Sequence, residues 1–134
     1  MVDASIALAW CFPDEAGEYA DVVLDALEGR TMLVPTIWPL EIVNALQVGE
    51  RRKRIRRPDS QRFVELLKGL NIFLDTQPWA DTISNVLPLA REHNLSAYDA
   101  AYLDLAVRQA APLATLDAGL KKATFAAHIE IFQT

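Results

Sequence analysis

Apolar residues recur along the chain in two rhythms: stripes spaced three and four apart, and short unbroken runs. Tyr19, Val22, Val23, Ala26 and Leu27 follow i, i+3, i+4, i+7, i+8, which predicts a helix over residues 15–28, with Asp14 as its N-cap and Gly29 closing it. Leu40, Val43, Asn44 and Gln47 form a second stripe. It begins after Pro39, a residue suited to the first helical position, and predicts a long helix to about residue 54. Pro58-Asp59-Ser60 breaks and recaps the chain, and a helix over 60–70 completes an αα-hairpin spanning 39–70. An apolar turn over 6–12 stops at Pro13. Further helices are predicted over 79–93, with a kink at Pro88, from Ser96 as cap to about residue 109, and over 118–126. The short runs 1–3, 31–34, 72–74, 112–115 and 129–132 read as strands. Strands alternating with helices imply an α/β fold with a mostly parallel sheet of four to five strands and helices on both faces.

Composition bounds this picture. The chain has 134 residues, 51% of them hydrophobic, which suits a single domain over 1–134 with one core. Thirteen Lys and Arg against eighteen Asp and Glu give a net charge of -5, the wrong balance for a generic nucleic-acid binder. Yet six of those thirteen cations lie between Arg51 and Arg57, at the tip of the predicted hairpin. Arg51, Arg52, Lys53 and Arg54 there either complement a helix C-terminus or meet an anionic partner. One cysteine, Cys11, excludes an intrachain disulfide and favours a reducing compartment. No apolar run reaches the roughly 18 residues of a membrane span, and no signal peptide is visible, so a soluble cytoplasmic protein is expected. Trp10, Trp38 and Trp79 are expected as core or interface anchors, and Cys11 as a small buried hydrophobe.

Asp3, Glu41, Asp99 and Asp117 change the picture most. Each has an ordinary explanation: Asp99 completes a capping box with Ser96, Glu41 sits in a first helical turn, Asp117 caps a helix or pairs with Lys121, and Asp3 is solvated near a chain end. Their joint placement is less ordinary. In open parallel sheets ligand sites form beyond the C-terminal ends of strands, and all four acids fall at that edge. Carboxylates gathered there repel one another and raise one another's pKa values, so such a pocket persists only around a cation. A hard divalent ion such as Mg²⁺ is the economical choice. Ser5 and Thr115 are placed to steady the acids by hydrogen bonds, and Asn44, one turn beyond Glu41, to face the pocket.

Val2-Asp3-Ala4-Ser5, Pro39-Leu40-Glu41-Ile42-Val43-Asn44-Ala45-Leu46, the run from Leu95 through Ser96-Ala97-Tyr98-Asp99 to Leu103, and Leu113-Ala114-Thr115-Leu116-Asp117 resemble, in order and spacing, the four motifs of PIN-domain ribonucleases, most closely the VapC toxins of bacterial toxin–antitoxin pairs. The first strand is shorter than relatives often have, which leaves Asp3 near a fraying end. The resemblance implies a PIN-like three-layer fold and an Mg²⁺- or Mn²⁺-dependent endoribonuclease, a homodimer inhibited by a cognate antitoxin that also represses its own gene. Asp3, Asp99 and Asp117 would then hold metal, directly or through water, and Glu41 would position or deprotonate the attacking water, or trade that role with Asp117. The basic tip would bind RNA phosphates or an acidic antitoxin segment. The competing reading is a non-catalytic binding module whose acidic pocket receives a partner protein.

Overall fold

Element boundaries are set by local capping chemistry. The computed structural model describes residues 1–133; residue 134, the end of the predicted domain, lies outside them. Helix α1 (Ala4–Ala9) starts directly after Asp3, whose side chain accepts from the Ile6 amide, so the first acid is also an N-cap. Helix α2 (Glu18–Ala26) begins later than predicted, behind Gly17 and not Asp14. Asp14 is engaged elsewhere, accepting two hydrogen bonds from Arg54 at 3.0 and 2.8 Å. Strand β1 (Thr31–Pro35) leads into helix α3 (Trp38–Arg51), with Pro39 at its second position, one later than expected. α3 stops at Arg51 and not near residue 54, because Lys53 turns left-handed at φ 59. Helix α4 (Arg57–Lys68) starts three residues early. Pro58 sits in its first turn, where a missing N–H costs nothing, and Asp59 accepts from the Arg56 amide at 2.9 Å. Strand β2 (Asn71–Asp75), helix α5 (Trp79–His93), helix α6 (Ala97–Gln109) and helix α7 (Ala118–Ala126) complete the order, and α5 runs unbroken through Pro88.

β1 and β2 pair in parallel, with Thr31 opposite Asn71 and Pro35 opposite Asp75. The sheet then continues as single contacts. The Val2 amide donates to Leu33 at 3.4 Å, Val2 bridges Ala114 in parallel, and Leu113 bridges Ile131 in parallel. The expected four to five strands are therefore two regular strands and three short extended segments in the order 72, 33, 2, 114, 131. The segments are too short to ladder further. Asp3 already caps α1, Pro112 has no N–H to donate, and the chain after Thr115 turns into α7. The first segment is bonded along both edges, the Val2 amide donating to Leu33 and the Asp3 amide to Ala114 at 3.1 Å.

The core lies where these segments meet α1 and α6. Ile6, Ala7, Val34, Leu103, Leu113 and Leu120 are fully enclosed there. Trp38 is buried, whereas Trp79 is 78% exposed at the start of α5 and is no core anchor. Cys11 is half-buried. Among the described residues no helix is long and apolar enough to cross a membrane.

Candidate functional site

Asp3 is the most enclosed of the four acids, 5% exposed. One carboxylate oxygen accepts from the Ser5 hydroxyl at 2.5 Å and the Ile6 amide at 3.3 Å; the other accepts from the Thr115 hydroxyl at 2.5 Å. Both hydroxyls work twice. Ser5 Oγ accepts from the Leu116 amide and Thr115 Oγ1 from the Asp117 amide, each at 3.0 Å. The predicted supporting residues thus tie the first acid to the turn that carries the fourth. Burial pushes the Asp3 carboxyl above the ordinary aspartate range, and these hydrogen bonds pull it back only in part.

Glu41 projects from the first turn of α3 and is half-buried. Its Oε1 accepts from the Tyr102 hydroxyl at 2.7 Å. Burial raises its carboxyl, the Tyr102 hydrogen bond opposes that, and the charges of Asp3 and Asp99 raise it further. Asp99 lies in the first turn of α6, its amide donating to Ser96 Oγ at 3.1 Å, which is the N-cap half of the predicted capping box. Burial raises it too, and so does the charge of Asp117. Asp117 caps α7 by accepting from the Leu120 amide at 2.7 Å. It has no ion pair with Lys121, whose ammonium lies 5.7 Å over the Tyr19 ring instead.

Charge reaches across the group in two places: Asp3 and Asp99 raise Glu41, and Asp117 raises Asp99. Among the described residues, none of them has a Lys, Arg or His within ion-pair distance. Nor do three acidic, His or Cys side chains among the described residues draw close enough to form a ready metal cage. Asp3, with three donors already on its two oxygens, keeps roughly one lone pair for a further partner. This donor set, all oxygen, negative and uncompensated, suits a hard divalent ion that retains several of its own waters.

Other predicted residues fall differently. Asn44 is exposed on α3 and, among the described residues, makes no hydrogen bond to the acids. Arg51, Arg52 and Lys53 are exposed at the far end of α3, ten residues from Glu41, or about 15 Å along the axis at 1.5 Å per residue. Arg51 and Lys53 line an open cleft of about 670 Å³ with Glu50, Arg56 and Arg57. Arg54 does not belong to that surface. It is held by Asp14, approaches Glu15 at 3.6 Å, and lies 4.5 Å over the Phe12 ring.

Two features escape the sequence reading. Tyr102, three residues after Asp99 on one face of α6, is the donor to Glu41; its spacing from Asp99 was the available signal. The second is a tie between α6 and β2, in which Arg108 donates to buried Asp104 at 2.9 Å and to Asp75 at 2.6 Å. The i, i+4 spacing of Asp104 and Arg108 announces half of it.

Comparison with known proteins places the chain in a family. The family model described as PIN domain matches residues 1–126. Ribonuclease VapC3 of Pyrobaculum aerophilum is 31% identical over 118 residues, covering 87% of this chain and 88% of its own. The crystal structure of PAE2754 from the same organism superposes with a TM-score of 0.67 at 25% identity, over 91% of this chain and 76% of that one. The chain belongs to the PIN-domain family and, within it, to the VapC-type proteins.

Proposed function

We propose that the protein is a metal-dependent endoribonuclease acting as the toxin of a toxin–antitoxin pair. The single observation that carries this reading is electrostatic: burial raises the carboxyls of Asp3, Glu41 and Asp99, the charges of neighbouring acids raise Glu41 and Asp99 further, and among the described residues no protein cation pairs with any of the four acids. A folded protein keeps such an arrangement when a ligand offsets it. Likeness to a relative named Ribonuclease VapC3 over most of both chains supports the reaction class.

Asp3, Asp99 and Asp117 are the residues to hold Mg²⁺ or Mn²⁺, Asp3 through its remaining lone pair and the others through oxygens at two helix N-termini. The ion would supply charge neutralisation at the scissile phosphate and a more acidic bound water. Glu41 would orient an attacking water and accept its proton on a carboxylate oxygen. Its raised carboxyl moves it toward the range of an effective general base. Ser5 and Thr115 hold Asp3 in its rotamer, so its position is set before any ligand arrives. Arg51, Arg52 and Lys53 are assigned to phosphates of the RNA lying about a helix length from the acids, contacts that position without reading sequence. Binding an acidic antitoxin segment is the competing role of the same tip. Trp79, Ile83 and Leu87, all exposed at i, i+4 and i+8 on α5, offer an apolar stripe for a homodimer.

Isothermal titration of Mn²⁺ and Mg²⁺ into the purified protein tests the assignment. Saturable binding that disappears in Asp99→Asn is expected. Absence of binding in the wild type would leave the acids to a non-catalytic docking role.

A further inference from the structure

Glu41 is the only one of the four acids that reaches the site from a long, flexible side chain. Three torsions separate its carboxylate from α3, and the charges of Asp3 and Asp99 repel it. Left to those forces the side chain would swing outward into water. What opposes them is a single bond: among the described residues, only the Tyr102 hydroxyl donates to the Glu41 side chain, at 2.7 Å. Tyr102 is 1% exposed and belongs to the apolar core with Ile6, Val34 and Leu103, so its ring has no freedom to follow a moving partner. Its hydroxyl has Glu41 as its acceptor, and a buried phenol without one is penalised. α6 therefore presents Asp99 in its first turn and, one turn on, a rigid donor aimed at the neighbouring acid.

We propose that Tyr102 is the positioning residue for Glu41, a fixed phenol that holds this carboxylate at the acidic site. The inference rests on the ribonuclease reading and adds a residue to it: the core, through one hydroxyl, sets the rotamer of the group assigned to the water. Hydrogen bonding to a charged acceptor is stronger than to a neutral one, which suits a hold against repulsion.

A kinetic double-mutant cycle decides it, with wild type, Tyr102→Phe, Glu41→Gln and the double variant assayed for RNA cleavage in Mn²⁺. Thermal unfolding of each is followed alongside. Tyr102→Phe keeps the ring and is expected to fold. Its kcat should fall about tenfold or more, the scale of a lost hydrogen bond to a charged group, with KM within about twofold. In the Glu41→Gln background the same change should cost less than about twofold, since the group it positions is already gone. Equal losses in both backgrounds, or full activity of Tyr102→Phe, overturn the positioning role while leaving the ribonuclease reading intact. Wild-type activity of Glu41→Gln instead removes the catalytic assignment on which the proposal stands. Should Tyr102→Phe not fold, ¹³Cζ-tyrosine NMR of Glu41→Gln supplies the readout: a shifted buried tyrosine resonance supports the contact, and an unmoved spectrum refutes it.

Discussion

Asp99 shows how a residue at the acidic edge trades stability for charge. Burial first, and the neighbouring Asp117 second, hold its carboxyl above the ordinary aspartate value of 3.8. A raised folded-state value favours the folded protein while the group is protonated, and that advantage is lost as the pH rises through it. At neutral pH Asp99 is therefore a liability. Asp99→Asn should melt about 1–3 °C higher at pH 7, and the gain should vanish below about pH 3.8, where Asp99 is neutral in both states. Scanning calorimetry across that range checks it; a variant less stable at pH 7 would show that Asp99 is held by favourable contacts. The four acids were legible in the sequence because strand ends and helix starts are marked by caps and apolar runs, and Ser5 and Thr115 because each hydroxyl lies two residues from one of the acids. Tyr102 was hidden among the apolar residues of an alanine-rich helix, where an aromatic reads as core. Arg54 was misplaced because Asp14, its partner, is forty positions away and no local pattern announces the pair.

Among the elements, α3 joins the two charged regions: Glu41 lies in its first turn and the basic tip begins in its last. Its course depends on Gly49. A Cβ there would lie 2.6 Å from the Phe12 ring, which is buried and covered by Arg54, and 3.3 Å from Ile55. Alanine gains roughly 1 kcal/mol of helix propensity over glycine, whereas overpacking a fixed aromatic costs about 1–3 kcal/mol. Gly49→Ala should thus destabilise by about 1 kcal/mol in urea titration despite its better propensity, and a stabilised variant would mean that Phe12 can yield. The helices were readable from their stripes almost to the residue where a cap was unambiguous, as at Ser96 and Asp117. They were misread by three residues at α2 and α4, because the strongest cap-forming residues, Asp14 and Ser60, were not the ones used. Strands were found in place, but β1 and β2 run slightly longer than predicted whereas the runs 1–3, 112–115 and 129–132 shrink to isolated bridges, since an apolar run records burial and not how many ladder bonds its neighbours leave room to make.

Across the whole molecule the charge is divided: an acidic body, the edge that carries the four acids, and a basic tip about one helix length away. RNA bound at the edge meets repulsion unless the tip and a divalent ion offset it, so affinity should be steeply salt-dependent for a protein of net charge -5. Replacing Arg51, Arg52 and Lys53 together with Ala should make the slope of log affinity against log salt shallower by about 2, at roughly 0.7 per lost contact with single-stranded RNA. Fluorescence anisotropy in graded NaCl measures this, and an unchanged slope would return the tip to solvent or to a protein partner.

The most direct measurement is end-mapped cleavage of total cellular RNA by the purified protein. The account predicts cuts bearing 5′-phosphate and 3′-hydroxyl ends in Mg²⁺ or Mn²⁺, none in EDTA, and a rate at least about a hundredfold lower for Asp99→Asn. Undiminished cleavage in EDTA, or by Asp99→Asn, would contradict it.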